Sequence, residues 1–209
     1  MLRSLPSYLA YYGRWSATWE SQALLRAGFG AGDQRCVERL LTGIDRLRYP
    51  IGGLTGSQLV EVRKLKARME TERMPRGSDP ARNTKLGPGG LSDVEWTVQL
   101  LQLQHAHEVP SLRTTSTLEA LDAAVTAQLI SPPDAEMLRD AWLFASRLRN
   151  AIMLVRGRAS DVIPSDARDA AAIAFQLGYG RSEASTLVDD YRRTARRAAG
   201  VAARVFWGE

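Results

Sequence analysis

The stretch that decides the fold runs from Ser131 to Val155 and reads SPPDAEMLRDAWLFASRLRNAIMLV. Ser131 followed by Pro132 is typical of a helix start, because serine caps free N–H groups and proline suits the first helical position. Apolar residues then recur at three- and four-residue steps, which places them along one side of a helix. The stretch therefore predicts a long amphipathic helix within a helical bundle. The apolar residues are Leu138, Ala141, Ala145, Leu148, Ile152 and Val155.

Helical periodicity extends over most of the remaining chain. Asp33 is suited to cap a helix that runs to about Leu47, and Thr55 with Gln58 forms a capping box for the next helix. Ser116 begins another such box. Further helices are predicted at about 91–107, 165–177 and 182–206, while residues 83–86 fit one short strand at the edge of a sheet. The predicted fold class is all-α.

An aromatic stripe begins the chain, with Tyr8, Tyr11, Trp15 and Trp19 at helical spacing. Such a stripe could stack on nucleic-acid bases or could lie in the core. Because the spacing is helical and the stripe continues into alanine and leucine, we predict that it lies in the core.

Composition excludes several classes of protein. The chain has 209 residues, of which 44% are hydrophobic and 24% charged, which is typical of a globular domain and not of a disordered one. The single cysteine, Cys36, excludes an internal disulfide and a cysteine-based zinc site. A net charge of +5 suits an anionic partner, whether a nucleotide, a nucleic acid or an acidic protein face, without choosing among them.

The most informative residues follow the break in helical periodicity, where residues 85–96 read KLGPGGLSDVEW. Glycines that lead into a helix can present backbone N–H groups to phosphate, and Lys85 could neutralise its charge. Asp93 and Glu95 lie in the first turn of that helix, where carboxylates are favoured and could ligate a hard cation. An ordinary structural glycine loop followed by N-terminal acids accounts for the same pattern, and spacing alone favours that interpretation.

The segment KLGPGGLSDVE closely resembles a signature of bacterial glutamine synthetase adenylyltransferases. Other blocks resemble segments of that family in the same order, and together they extend over nearly the whole chain. The last of them resemble the C-terminal unit of the family enzyme, the one that attaches AMP. These blocks are WESQALLRA at 19–27, RLRN at 147–150, LVRG at 154–157, LGY at 177–179, DYRR at 190–193 and VFWG at 205–208.

The resemblance implies a cytoplasmic nucleotidyltransferase that moves AMP from ATP to a tyrosine of glutamine synthetase, with Mg²⁺ bridging the phosphates. It further implies regulation by a PII-type signal protein. On this interpretation Glu95, ahead of Asp93, supplies a catalytic carboxylate that ligates the metal. The residues implied in substrate binding are Lys85, Gly89, Gly90 and Arg26.

The sequence departs from the family pattern in two respects. The family usually has another arginine after the pair that corresponds to Arg26 and Ala27, whereas position 28 of this chain is glycine. The second departure matters more for activity. The family's Gly-Ser loop and its Asp-x-Asp metal pair precede the matched region, and no Asp-x-Asp occurs in this chain. We therefore expect residues 1–90 to be the end of a nucleotidyltransferase core, residues 91–209 to form a helical bundle, and the chain alone to be inactive.

Two other functions stay open from the residues. Arg192, Arg193, Arg196 and Arg197 form a basic stripe that fits a solvated helix face or a docking face for an acidic protein. A non-catalytic all-α docking or regulatory module is the main alternative to the enzyme fragment. A nucleic-acid-binding helical protein is the third, and it rests only on the charge.

Overall fold

A computed structural model describes residues 3–75, 77–180 and 182–209. This part of the chain contains nine α-helices and no extended strand, which confirms the all-α prediction. No helix among these residues is long and apolar enough to cross a membrane. The helices are α1 (Leu5–Arg14), α2 (Thr18–Leu24), α3 (Gln34–Arg48), α4 (Gly56–Arg73), α5 (Leu91–His105), α6 (Thr117–Thr126), α7 (Pro132–Arg156), α8 (Ala167–Gln176) and α9 (Ala184–Ala202), which a π-helical turn (Ala203–Trp207) follows.

The helices begin at the caps that the sequence predicted. The Ser131 hydroxyl accepts a hydrogen bond from the Asp134 N–H at 3.2 Å, and Asp33 accepts one from the Cys36 N–H at 2.8 Å. Thr55 and Gln58 form the reciprocal capping box, in which each side chain accepts from the other's backbone N–H. These caps satisfy donors that a helix end would otherwise leave unpaired.

The chain folds into two compact units. Unit 1 comprises Met1–Leu65 and Val98–Leu129, and unit 2 comprises Lys66–Thr97 and Ile130–Glu209. The division falls inside α4 and α5. The predicted domain boundary at residue 90 stays a prediction.

Unit 1 departs from the sequence prediction at its aromatic stripe. The first helix ends at Arg14 and a second begins at Thr18, where Glu20 accepts a hydrogen bond from the Ala17 N–H at 2.8 Å. This break interrupts the helical spacing, so the stripe does not stay on one buried face. Trp15 is 66% exposed and Trp19 is 52% exposed. The prediction that the stripe lies in the core is therefore wrong.

Unit 2 is built around α7, α8 and α9. The predicted apolar side of α7 is buried from Leu138 to Ile152, whereas Val155 is half-buried. Together with Ile173, Leu187 and Tyr191 from the neighbouring helices, these side chains form the core of the unit. Burial of this apolar surface is the main force that holds the three helices together.

The short strand predicted at residues 83–86 is reduced to one isolated antiparallel bridge between Asn83 and Val162. The Asn83 side chain accepts hydrogen bonds from the N–H groups of Lys85 and Leu86 at 3.0 and 2.8 Å. Such a side-chain bond to the following backbone curls the chain into a turn and competes with strand pairing.

We expect a fragment of residues 66–209 to melt at a higher temperature than a fragment of residues 91–209. Only the longer fragment retains Lys66 as the partner of Asp93, and the Asn83 carbonyl as acceptor for the Tyr191 hydroxyl. Thermal unfolding followed by circular dichroism measures both fragments. Equal melting temperatures would show that residues 66–90 do not stabilise residues 91–209. Cooperative unfolding of the 91–209 fragment tests the predicted boundary.

Candidate functional site

The glycine loop that precedes α5 lies in unit 2, where it packs tightly against the backbone of α9. Gly89 has a φ of +69°, and a Cβ atom at this position would lie 1.8 Å from the carbonyl oxygen of Ala195. A Cβ at Gly87 would lie 2.1 Å from the carbonyl oxygen of Pro80. Only glycine satisfies both the left-handed conformation at 89 and these close approaches.

The backbone N–H groups of this loop already donate within the chain. Gly89 donates to Asp93 Oδ2 at 2.6 Å, and Gly90 donates to the Gly87 carbonyl at 2.9 Å. Leu91 and Ser92 donate to the carbonyls of Thr84 and Lys85 at 3.0 and 2.9 Å. Both Gly89 and Gly90 are buried. In this conformation the loop offers none of these four donors to a phosphate, so the predicted phosphate contacts of Gly89 and Gly90 require the loop to rearrange.

The centre of the site is a fully buried lysine, Lys66 on α4. Its Nζ donates to Asp93 Oδ1 at 2.5 Å and also to Glu70 Oε1. The ring centroids of Phe206 and Trp207 each lie 5.6 Å from the same Nζ, within the range of a cation–π interaction. The ammonium thus has two carboxylate partners and two aromatic neighbours, which together compensate for its loss of hydration.

Asp93 uses both carboxylate oxygens inside this site, one for Lys66 and one for the Gly89 N–H. Burial raises the pKa of Glu70, although the Lys66 ammonium opposes the shift. Burial, and to a smaller extent the charge of Asp93, raise the pKa of Tyr191. The Tyr191 hydroxyl donates to the Asn83 carbonyl at 3.4 Å. These contacts fix the glycine loop between α4, α5 and α9.

Glu95 is different from Asp93 in its surroundings. The residue is half-buried, and no hydrogen bond or ion pair joins its side chain to another residue that the structure describes. These carboxylates lie two positions apart along α5, so they point to different sides of the helix. Glu95 is therefore the carboxylate of this segment that remains available to a ligand.

The two remaining predicted site residues belong to different units. Lys85 is exposed on the glycine loop of unit 2. Arg26 lies in unit 1, where its guanidinium donates to the Thr117 hydroxyl at 2.8 Å and to the Thr115 carbonyl. These contacts hold Arg26 at the start of α6.

An open groove of about 540 Å³ lies beside the buried lysine within unit 2. Glu70, Asp93, Trp207 and Glu209 are among the residues that line it. No group of three or more His, Cys, Asp or Glu side chains that could hold a metal ion occurs in the described ranges.

Sequence reasoning did not find Lys66. Its helix carries many charges, and a lysine followed by a glutamate four residues later is usually a solvated pair. The partner that explains its burial is Asp93, 27 residues further along the chain. The available signal was weak: Lys66 directly follows the apolar residue Leu65 on the same helix.

A comparison with models of known families identifies the class of protein to which this helical chain belongs. The family model described as GlnD PII-uridylyltransferase matches residues 63–206, and the chain belongs to this family.

Over its full length the chain is similar to bifunctional glutamine synthetase adenylyltransferase/adenylyl-removing enzymes. It is 60% identical to the enzyme of Cutibacterium acnes over 209 residues, which is 100% of this chain, and 57% identical to that of Streptomyces coelicolor over 207 residues, which is 99%. Identity to the Mycolicibacterium smegmatis enzyme is 50% over 208 residues, again 100% of this chain. The chain spans 21% of the length of each of these three relatives. The resemblance stated from the motifs is confirmed.

Proposed function

We propose that this chain is the C-terminal part of a bifunctional glutamine synthetase adenylyltransferase/adenylyl-removing enzyme. On this proposal it contributes to the transfer of AMP from ATP to a tyrosine of glutamine synthetase. The observation that carries the proposal is the 60% identity to a protein of that name over all 209 residues. The PII-type signal protein as regulator and a cytoplasmic location belong to the same proposal.

Within this function, Glu95 is proposed as the carboxylate that faces Mg²⁺, with Asp93 as the second carboxylate of the segment. The free carboxylate of Glu95 supports this order, because both oxygens of Asp93 are already bonded. Mg²⁺ bound with ATP would supply positive charge to neutralise the α-phosphate of the transferred adenylyl group. The described residues include no three-residue ligand group. On this proposal the remaining ligands would come from other parts of the full-length enzyme to which this chain belongs, called the longer enzyme below.

Lys85 and Arg26 are proposed to contact the nucleotide or the protein substrate. The exposure of Lys85 supports a role in neutralising phosphate charge. Arg26 would have to release or share the bonds it now makes to Thr115 and Thr117. Gly89 and Gly90 are proposed to contact phosphate only in a rearranged loop.

We expect this chain alone not to adenylylate glutamine synthetase, because clustered carboxylates are needed to position the metal and the phosphates. Incubation with labelled ATP, Mg²⁺ and glutamine synthetase measures the transfer, with the longer enzyme as positive control. Labelled UTP with a PII-type protein is the matched control reaction, chosen because the family model carries that name. Labelling of glutamine synthetase by the chain at the rate of the longer enzyme would contradict the expectation.

A non-catalytic docking module is the second candidate. The internal bonding of the loop N–H groups favours it, since a loop without free donors has no evident phosphate site. The two candidates differ in a direct binding measurement. A docking module binds glutamine synthetase equally well with and without ATP and Mg²⁺, whereas part of a transfer site binds more tightly when the nucleotide is present.

A further inference from the structure

We infer that Lys66 is a positioning residue, which acts through Asp93 to fix the glycine loop and the first turn of α5. The effect of Lys66 on turnover rests on the proposed function. The effect of Lys66 on the position of the glycine loop is independent of that function.

The charge of Lys66 is fully buried. A fully buried ammonium is strongly destabilised unless carboxylates and hydrogen bonds replace its hydration shell. Lys66 has Asp93 and Glu70 as such partners, and the aromatic rings of Phe206 and Trp207 surround the remaining side. If the Lys66 side chain only filled space, an apolar side chain could replace it without changing the positions of its neighbours.

Asp93 connects Lys66 to the glycine loop. Asp93 Oδ1 accepts from Lys66 Nζ, while Asp93 Oδ2 accepts from the Gly89 N–H. A carboxylate held at both oxygens has one orientation, so the ammonium determines where Gly89 can lie. Gly89 in turn packs closely against the Ala195 carbonyl, so a change in the position of Gly89 also changes the contact of the loop with α9.

The start of α5 connects the glycine loop to Glu95. Asp93 lies in the first turn of α5, and Glu95 follows two residues later on the same helix. When the Asp93 carboxylate is fixed, the start of the helix is fixed, and with it the direction in which Glu95 projects. Lys66 therefore positions Glu95 without being able to touch a substrate, because it is fully buried.

The first test measures the loop itself in the 209-residue chain, by amide hydrogen exchange resolved at single residues. We expect Lys66→Met to accelerate exchange at Gly89 by about tenfold or more, since the acceptor of that N–H is no longer held. Lys85→Met is the matched control: it removes an exposed lysine from the same loop and should leave exchange at Gly89 unchanged. Wild-type protection at Gly89 in the Lys66→Met variant would overturn the inference.

A measurement on the wild-type chain covers the case in which Lys66→Met does not fold. The ammonium protons of Lys66 should exchange slowly enough to be observed by NMR, with cross-peaks to the ring protons of Phe206 and Trp207. Rapid exchange of these protons with water, at the rate of an exposed lysine such as Lys85, would overturn the inference.

The second test is kinetic and uses the longer enzyme. Lys66→Met should lower kcat for AMP transfer by about tenfold or more and change the KM for ATP by less than about threefold, because positioning acts in the transition state. The double variant with Asp93→Asn should be no slower than Asp93→Asn alone, since the two residues act in series. Multiplicative losses would overturn the inference. Failure of the wild-type enzyme to transfer AMP would instead refute the proposed function and leave the exchange result intact.

Discussion

Glu95→Gln should lower the turnover of the longer enzyme by orders of magnitude while the melting temperature stays unchanged. The substitution keeps the size and polarity of the side chain but removes the charge that would hold or orient a cation. Each loss of about 1.4 kcal/mol in transition-state stabilisation is a tenfold loss of rate. An exposed acid that only interacts with the helix dipole contributes about 0.3–1 kcal/mol, and its loss would barely change activity.

The matched control for this variant is Glu136→Gln. Glu136 is an exposed acid on α7 and should affect neither turnover nor melting temperature. Initial rate and melting temperature should be measured on the same preparations. If Glu95→Gln melts and turns over like the wild type, Glu95 has no part in the reaction and the site assignment is wrong.

The structure separates two carboxylates that look equivalent in the sequence. Only Asp93 lies in the first turn of α5, although the sequence predicted both acids there, and nothing in the spacing shows which of them is bonded inside the fold. The distinction comes from Lys66, which lies on another helix, and from Gly89, whose N–H points at Asp93. Contacts between distant segments are invisible to a periodicity argument, because periodicity describes only one helix at a time.

The helix starts, by contrast, could be predicted from the sequence because their contacts are local. Asp33, Thr55, Ser116 and Ser131 each bond to a backbone N–H three residues later. Such a bond depends on the residue and on its immediate neighbours, so the sequence contains all the information that it requires. The apolar side of α7 was predictable for the same reason.

The aromatic stripe shows where a local pattern misleads. Its spacing fits one continuous helix, but the backbone leaves the helix after Arg14, and the Ser16 hydroxyl donates to the Tyr12 carbonyl at 2.9 Å.

The role of the glycine loop also could not be predicted from its local sequence. Its glycines fit a phosphate loop as well as a structural turn, and the close approach to Ala195 that explains Gly89 involves a residue on the last helix.

Asp93→Asn is expected to lower stability as well as activity, in contrast to Glu95→Gln. The variant leaves the buried ammonium of Lys66 with Glu70 as its one remaining carboxylate partner among the described residues. Breaking a buried ion pair costs about 3–5 kcal/mol, and we expect the lower end of this range because Glu70 remains. For a protein of this size a loss of about 3 kcal/mol corresponds to a fall in melting temperature of roughly 6–12 °C.

Asp169→Asn is the matched control for this stability effect. It breaks the ion pair between Asp169 and Arg156, in which the atoms are 3.3 Å apart and both side chains are partly exposed. Such a pair contributes about 0–1 kcal/mol, so the melting temperature of the Asp169→Asn variant should fall by only a few degrees. An equal, small shift for both variants would show that the Lys66–Asp93 pair does not stabilise the loop. A large shift for Asp93→Asn alone assigns the carboxylate to the support of the site, and leaves Glu95 as the acid that the reaction would use.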